Sequence, residues 1–248
     1  MQGENKKVKS KSSANFRFKK FEISQEGCAM KVGTDGVLLG AWADCSNAQT
    51  ILDIGTGTGV IAIMLAQRSP NASVDAVEID EAAFQTAEKN MENSPFSTQL
   101  SCIQDSIQDY SKITRKEYDL IVCNPPFFTG GTLSSQNKRN NVRHTIKLPT
   151  GDLLNSARKL LTPDGKFCVI LPLIEGLRFK EQAKNYNLHC TKIVEVKPKV
   201  EKSVERLLLQ FEKKPIKETT QQLIIQHEKR NDYTSDYIEL TKDFYLKM

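Results

Sequence analysis

An apolar run, a turn with three glycines and a second apolar run follow each other between residues 50 and 68, and this order restricts the fold more than any other feature. Thr50–Ile54 has the length and composition of a buried strand. The glycines of Gly55-Thr56-Gly57-Thr58-Gly59 let the chain turn tightly and let a ligand approach the backbone. The apolar residues that follow predict a helix over 60–68. Together these segments predict a strand–turn–helix unit with a ligand site at the turn.

The alternation of strand and helix patterns continues along the chain and predicts the fold class. Because short Gly/Asp turns separate the patterns, we expect a mostly parallel sheet with helices on both faces. The polar linker 197–203 is too short for a crossover, so the last two strands should form an antiparallel hairpin. We therefore expect an α/β fold with a doubly wound, mostly parallel seven-stranded sheet and an antiparallel C-terminal hairpin. The predicted strands are 50–54, 73–79, 99–103, 118–123, 166–171, 188–196 and 204–211, and the helices are 60–68, 81–92, 150–161 and 175–186.

The two ends of the chain predict small additions to this sheet. Residues 1–15 are polar and rich in Lys and Ser, so we expect a disordered basic leader there. Residues 16–23 should form a strand that pairs back with 28–32, and Thr34 or Asp35 can cap a short helix. The C-terminal tail should add a strand over 222–227 and a helix over 234–243. We expect one domain, 16–248.

A strand pattern at 118–123 ends in Asn124-Pro125-Pro126-Phe127. Neither proline can donate to a strand ladder, so the strand stops abruptly in a stiff, extended turn. That turn presents an amide, proline carbonyls and an aromatic ring, which fit a planar group bearing an NH₂. The amide and carbonyl oxygens would accept its hydrogens and the ring would stack on its face. A sharp strand-to-loop turn with a packed Phe is the structural alternative.

Three acidic residues stand at the ends of three successive predicted strands, at Asp53, Glu78 and Asp105. An acid before the glycine turn would repel a pyrophosphate but suits a cationic amino-acid group. Glu78 can accept from ribose hydroxyls, and Asp105 from an adenine amino group. The turn reads G-x-G-x-G, not the G-x-G-x-x-G of dinucleotide sites. Nicotinamide binding remains an alternative, and Asp105 or Asp80 could instead be helix caps.

Positive charge is concentrated in a few segments. The net charge is +5, and the first 20 residues hold seven basic side chains against Glu4 alone. Such a leader suggests an anionic partner or a solvated tail. The polar loop 128–148 lacks acids, so we expect its basic side chains to contact phosphate, unless the loop is merely solvated. The loop residues are Lys138, Arg139, Arg143 and Lys147, and a second candidate patch is Lys197, Lys199, Lys202 and Arg206.

The six cysteines include no C-x-x-C pair, and most lie in apolar runs. They predict small core residues in a reducing compartment, without disulfides or metal ligands. The chain has no apolar run of 18 residues and no signal-peptide pattern, so we expect a cytoplasmic protein without a membrane segment or a metal.

With these motifs in view, the chain resembles class I methyltransferases that carry an Asn-Pro-Pro-aromatic motif. It resembles more closely the bacterial family that methylates N6 of adenine 37 in the anticodon loop of valine tRNA. This resemblance implies a Rossmann-like domain, S-adenosylmethionine as cofactor and a tRNA partner, and we expect a monomer. It also places Lys31, Thr34, Asp35, Asp53, Gly55, Gly57, Gly59, Glu78, Asp105 and Asn124 at the cofactor. The segments that carry it are 31–43, 52–55, 75–78, 124–126 and the C-terminal Phe244-Tyr245-Leu246-Lys247-Met248.

One position departs from the family pattern, because Phe127 stands where the family commonly has Tyr. Phe keeps the stacking face and loses the hydroxyl. Ribosomal guanine-N2 methyltransferases resemble this pattern with Phe, usually followed by His, whereas Phe128 follows here. Protein glutamine N5-methyltransferases share the motif but resemble a longer chain with a preceding helical domain. A nucleotide-binding module without catalysis is the alternative from a different class.

Overall fold

The structure is a computed structural model that describes residues 15–126 and 148–247. Within these ranges the strands are β1 (Phe16–Arg17), β2 (Glu22–Ile23), β3 (Thr50–Ile54), β4 (Ser73–Glu78), β5 (Leu100–Gln104), β6 (Tyr118–Cys123), β7 (Leu161–Pro172), β8 (His189–Lys199), β9 (Arg206–Glu212) and β10 (Thr219–Gln226). The helices are α1 (Thr34–Trp42), α2 (Val60–Arg68), α3 (Glu81–Glu92), α4 (Ile107–Ile113), α5 (Thr150–Leu160), α6 (Leu173–Ala183) and α7 (Ser235–Thr241).

The central sheet has eight strands in the order β10-β8-β9-β7-β6-β3-β4-β5. Only β9 runs antiparallel to its neighbours among these strands, so the predicted mostly parallel sheet with a β8–β9 hairpin is confirmed. The expected strand number was seven. The eighth strand is β10, which the C-terminal tail adds parallel to β8, with Leu223 opposite Val196. This pairing joins segments of the chain that no local pattern connects.

Two apolar cores lie on opposite faces of the sheet, as a doubly wound fold requires. Along β3, Ile51 belongs to the core under α1 and α2, whereas Leu52 and Ile54 belong to the core under α4, α5 and α6. Because side chains alternate across a strand, the continuous apolar run of β3 supplies both cores. Asp53 shares the face of Ile51 and therefore points towards α2.

Several local predictions were wrong. Residues 28–32 do not form a strand; the N-terminal hairpin is β1–β2, with Phe16 opposite Ile23. The backbone N–H and carbonyl of Ser24 instead form hydrogen bonds with the Asn90 side chain, so they do not take part in strand pairing. Helix α4 was not expected, although Ser106 caps it by accepting from the Asp109 N–H at 3.0 Å. Residues 162–165, between the predicted helix 150–161 and the predicted strand 166–171, lie within β7, where its pairing with β6 is irregular.

The two ends of the described chain meet. The Lys19 N–H donates to the Phe244 carbonyl at 2.8 Å, and the Tyr245 ring stacks on Phe18 with centroids 6.1 Å apart. All six cysteine thiols are free. No helix in the described part of the chain combines the length and apolar character that crossing a bilayer requires.

Candidate active site

The carboxyl ends of β3, β4, β5 and β6 meet at one edge of the sheet, where two adjoining cavities open. The first, here the acid-lined cavity, has a volume of about 260 Å³ and includes Glu78, Asp80 and Asp105 in its wall. The second, here the α1 cavity, has a volume of about 440 Å³ and lies between α1 and the β8–β9 hairpin. Four residues line both cavities: Met30, Gly55, Gly57 and Asn124. The sheet therefore brings the glycine turn and the Asn-Pro-Pro motif into one site.

The glycine turn follows β3 and is built from left-handed backbone. Gly55, Gly57 and Gly59 have φ values of 69°, 59° and 81°, which side chains with a Cβ rarely adopt. A Cβ on Gly55 or Gly57 would meet no atom within 4 Å, whereas one on Gly59 would lie 3.2 Å from Met91 Cε. The first two glycines thus leave room for a ligand, and the third allows close packing on α3.

Asp53 lies behind this turn and lines neither cavity. Its side chain is fully buried, and Oδ2 accepts from the Thr56 hydroxyl at 2.6 Å. The other oxygen, Oδ1, is buried and makes no hydrogen bond of normal geometry with a described residue. Burial, assisted by the nearby Glu78 carboxylate, raises the pKa of Asp53 to about 7 although the Thr56 hydroxyl opposes the rise. The structure therefore places Asp53 where it supports the turn, without direct contact to the cavities.

Glu78 ends β4 and joins the glycine turn to the start of α3. Its Oε2 accepts from the Gly57 N–H and its Oε1 from the Asp80 N–H, both at 2.9 Å. A carboxylate offers about four lone-pair sites, so both oxygens retain a site for a ligand hydroxyl. The side chain is 8% exposed and faces the acid-lined cavity.

The two aspartates for which helix capping was the alternative differ in role. Asp80 is the cap of α3, since its side chain accepts from the Ala83 N–H at 3.1 Å. Asp105 is not a cap, because Ser106 caps the following helix. The Asp105 carboxylate accepts from the Ser106 N–H at 2.7 Å and stays half-buried in the cavity wall.

The charge of the acid-lined cavity discriminates between ligand classes. Three carboxylates and no Lys or Arg occur among the described residues that line it. A pyrophosphate there would meet like charge without a cation to offset it, whereas ribose hydroxyls, an amino group or a sulfonium would be attracted. The cavity therefore disfavours the nicotinamide dinucleotide alternative.

Within the described ranges no three acidic, histidine or cysteine side chains cluster as metal ligands would.

Asn124 stands directly after β6, at the junction of the two cavities. Its Oδ1 is buried and has no hydrogen-bond partner among the described residues. A buried amide oxygen without a donor is energetically unfavourable, by about 1–3 kcal/mol, so a ligand donor there would be stabilising. Pro125 is buried beside it, and Pro126 lines the acid-lined cavity. Phe127 lies outside the described residues.

Lys31, Thr34 and Asp35 all line the α1 cavity, near the first turn of α1. Asp35 is engaged by another side chain, because its Oδ2 accepts from Arg206 Nε at 2.9 Å. This ion pair ties α1 to the first residue of β9 and closes one wall of the cavity. A ligand contact by Asp35 would have to share the carboxylate with Arg206.

The predicted RNA-contacting residues are only partly described. Lys138, Arg139, Arg143 and Lys147 lie outside the described ranges. Lys197 and Lys199 alternate along β8 with Val196 and Pro198, which line the α1 cavity, so the two lysines project from the other face. Their ammonium groups donate at 2.6 Å to the carbonyls of Val200 and Glu228, respectively.

Sequence reasoning did not identify the apolar residues that line the cavities, among them Cys28, Met30 and Ile79. Met30 and Ile79 are 53% and 41% exposed. Ile79 could have been predicted from the sequence as a cavity residue, because it directly follows the acid at a strand end. Met30 carries none, since residues 28–32 were expected to form a strand. The Asp35–Arg206 pair spans 171 positions, and no local pattern predicts it.

Comparisons with known proteins agree with this geometry. Residues 32–178 match the family model described as "Methyltransferase small domain". The chain is 47% identical over 236 residues to a tRNA1(Val) (adenine(37)-N6)-methyltransferase of Trichodesmium erythraeum, covering 94% of this chain and 98% of that protein. It is 41% identical over 233 residues to the protein of that name from Parabacteroides distasonis, with the same coverage.

A solved structure supports the fold at lower sequence identity. A predicted O-methyltransferase from Agrobacterium tumefaciens superimposes with a TM-score of 0.68 at 18% identity, covering 85% of this chain and 96% of that one. The expected Rossmann-like methyltransferase fold is thereby confirmed. The sequence matches show that the chain belongs to the methyltransferase small domain family and, within it, to the tRNA1(Val) (adenine(37)-N6)-methyltransferases.

Proposed function

We propose that this methyltransferase transfers a methyl group from S-adenosylmethionine to N6 of adenine 37 in the anticodon loop of valine tRNA. The observation that carries the proposal is the buried Asn124 Oδ1, which lacks a donor and stands between the two cavities. An exocyclic NH₂ is the donor that this position suits. The names of the relatives at 41% and 47% identity support the choice of substrate.

The residues of the site fit the cofactor. The open space above Gly55 and Gly57 admits a ligand close to the backbone. Glu78 retains acceptor sites for ribose hydroxyls, and Asp105 can accept from the adenine amino group. The lack of a cation among the described residues of the acid-lined cavity suits a ligand without phosphate. When bound, S-adenosylmethionine supplies a methyl group activated by a sulfonium.

Asn124 and Pro125 would bind and orient the target nitrogen. The lone pair of an exocyclic adenine NH₂ is delocalised into the ring, so this nitrogen is a poor nucleophile. The Asn124 Oδ1 and the Pro125 carbonyl would accept its two hydrogens and turn the lone pair towards the methyl group. Positive charge develops on the nitrogen during attack, so these acceptors bind the transition state more strongly than the ground state. The product ammonium is acidic and needs no strong base.

The α1 cavity adjoins Asn124 and has the volume to admit a base. Phe127 would stack on the extruded base, a contact worth about 1–3 kcal/mol. We further propose that Lys138, Arg139 and Arg143 contact phosphates next to the target. We also propose that the protein is a monomer with one catalytic domain and that it acts in the cytoplasm.

The test is transfer of labelled methyl groups to total tRNA from cells that lack this modification, followed by nucleoside analysis. The expected product is N6-methyladenosine at position 37 of valine tRNA. A parallel reaction with ribosomal RNA and with guanine-substituted anticodon loops separates the guanine-N2 alternative. Label in methylguanosine, or no label in any RNA, would overturn the proposal.

A further inference from the structure

Residues 24–33, here called the strap, cross both cavities after leaving the N-terminal hairpin. Cys28, Ala29 and Met30 line the acid-lined cavity. Met30 to Gly33 line the α1 cavity. The strap has no strand pairing, so its position depends on side-chain contacts. Whatever fixes the strap therefore fixes one wall of each cavity.

The side chain of Asn90 on α3 joins the strap to the glycine turn. Its Oδ1 accepts from the Ser24 N–H at 2.9 Å, and its Nδ2 donates to the Ser24 carbonyl at 2.9 Å and to the Thr58 carbonyl at 2.8 Å. Asn90 is only 4% exposed, and both amide hydrogens are used. One buried amide thus holds the start of the strap and the turn between Gly57 and Gly59 at a fixed separation.

Further contacts place the rest of the strap against α3. The Thr86 hydroxyl donates to the Glu26 carbonyl at 2.5 Å, and the Val32 N–H donates to Gln25 Oε1 at 2.8 Å. A Cβ on Gly27, where φ is 74°, would lie 3.4 Å from Ala82 Cβ. The strap therefore makes a close turn over the first half of α3.

A second set of contacts holds the N-terminal hairpin that precedes the strap, and it involves Phe244 and Tyr245 near the C-terminus. The Phe18 ring stacks on Phe21, with ring centroids 4.6 Å apart, and on Tyr245, with centroids 6.1 Å apart. The Phe244 carbonyl accepts from the Lys19 N–H at 2.8 Å. The C-terminal residues thus hold the hairpin from which the strap starts. This gives Phe244 and Tyr245 a structural connection to the cavities.

We propose that Asn90 is a positioning residue of the cofactor site, which sets the distance between the strap and the glycine turn. The inference rests on the proposed function, because it assumes that S-adenosylmethionine fills the acid-lined cavity. Asn90 contacts neither cavity. It acts through Ser24 and Thr58, and its removal would widen the site without removing a ligand contact.

The experiment is calorimetric titration of the full chain with S-adenosylmethionine, first on the wild type. Failure of the wild type to bind would overturn the proposed function, independently of Asn90. For Asn90→Ala we expect a dissociation constant about tenfold higher or more, with kcat at saturating cofactor within about twofold of the wild type. Hydrogen exchange of residues 24–33 should accelerate in this variant. An unchanged dissociation constant would overturn the inference.

A matched control separates positioning from general destabilisation. Tyr118→Phe removes a hydroxyl that is also buried and that donates to Asp75 Oδ2 at 2.7 Å, away from the cavities. It should lower the melting temperature and leave cofactor affinity unchanged. An equal loss of affinity in Tyr118→Phe would show that Asn90 acts only through stability, against the inference.

A conservative variant covers the case in which Asn90→Ala does not fold. Asn90→Asp keeps the acceptor and the volume but loses both donors, so affinity at about pH 8 should fall. Protonation at lower pH restores one donor, and the ratio of variant to wild-type dissociation constants should then decrease. Affinity equal to the wild type at about pH 8 would contradict the positioning role.

Discussion

The Gly57 N–H donates to Glu78 Oε2 at 2.9 Å, so one carboxylate fixes the glycine turn and faces the acid-lined cavity. Its second oxygen holds the Asp80 N–H at the start of α3. The ends of β3 and β4 are therefore coupled at the point where we place the cofactor ribose. A change at this carboxylate should affect the shape of the turn and the ligand contact together.

Glu78→Gln should weaken cofactor binding by about tenfold to a hundredfold, because hydrogen bonds to a charged acceptor contribute about 1.5–3 kcal/mol. The new amide NH₂ would also face a backbone N–H at one of the two contacts. Isothermal titration with S-adenosylmethionine measures the effect. Glu92→Gln, an exposed change on α3, is the control and should bind as the wild type does. Equal affinities for all three proteins would refute the role of Glu78.

Gly57→Ala and Gly59→Ala should have separable effects. Both introduce a Cβ at positive φ, which is unfavourable by about 1–2 kcal/mol. The Gly57 Cβ would enter open space next to the ligand, whereas the Gly59 Cβ would press on Met91. We expect loss of cofactor affinity beyond the loss of stability for Gly57→Ala, and mainly a lower melting temperature for Gly59→Ala. Titration and thermal unfolding of the same samples test this, and identical profiles would contradict it.

The parts of the fold that local patterns specify were predicted closely. The bounds of β3, α2, α3 and β6 match the expected ranges. Each of these segments has an uninterrupted apolar or helical pattern, and turn or capping residues mark where it ends. The Asp53–Gly59 turn and Asn124 were correctly expected at one edge of the sheet, since parallel strands bring their carboxyl ends together.

The remaining features depend on contacts between distant segments. β10 is mostly polar and exposed, and only Leu223 is buried, so its pairing with β8 has no local signal. Residues 28–32 of the strap were expected to form a strand, because the sequence of residues 16–32 does not show that the Asn90 side chain bonds to the Ser24 backbone. Asp53 differs from these features, because local alternation along β3 points it under α2 and it lines neither cavity. Its contact with the cofactor stays a prediction.

Asn124→Ala should abolish most methyl transfer and leave cofactor affinity largely intact. The variant removes the Oδ1 that would accept from the target NH₂, and loss of one preorganised electrostatic group typically lowers kcat by about 10²–10³-fold. Steady-state kinetics with tRNA and titration with S-adenosylmethionine give the two quantities. Asn93→Ala, at the exposed end of α3, should match the wild type in both. A near-wild-type kcat in Asn124→Ala would exclude the proposed role.

Asp53→Asn should stabilise the protein increasingly as the pH rises. The native pKa of about 7 exceeds the ordinary value of about 3.9, so between these values the native state binds the proton that the unfolded chain has lost. The free energy of unfolding of the wild type therefore falls as the pH rises through this window and levels off above about pH 7. Because the variant does not titrate there, its advantage should grow over the same window, to about 4 kcal/mol at most. Urea unfolding at about pH 5 and pH 8 measures the change, with the exposed Asp243→Asn as control. A difference between Asp53→Asn and the wild type that is the same at both pH values would mean that Asp53 is ionised throughout.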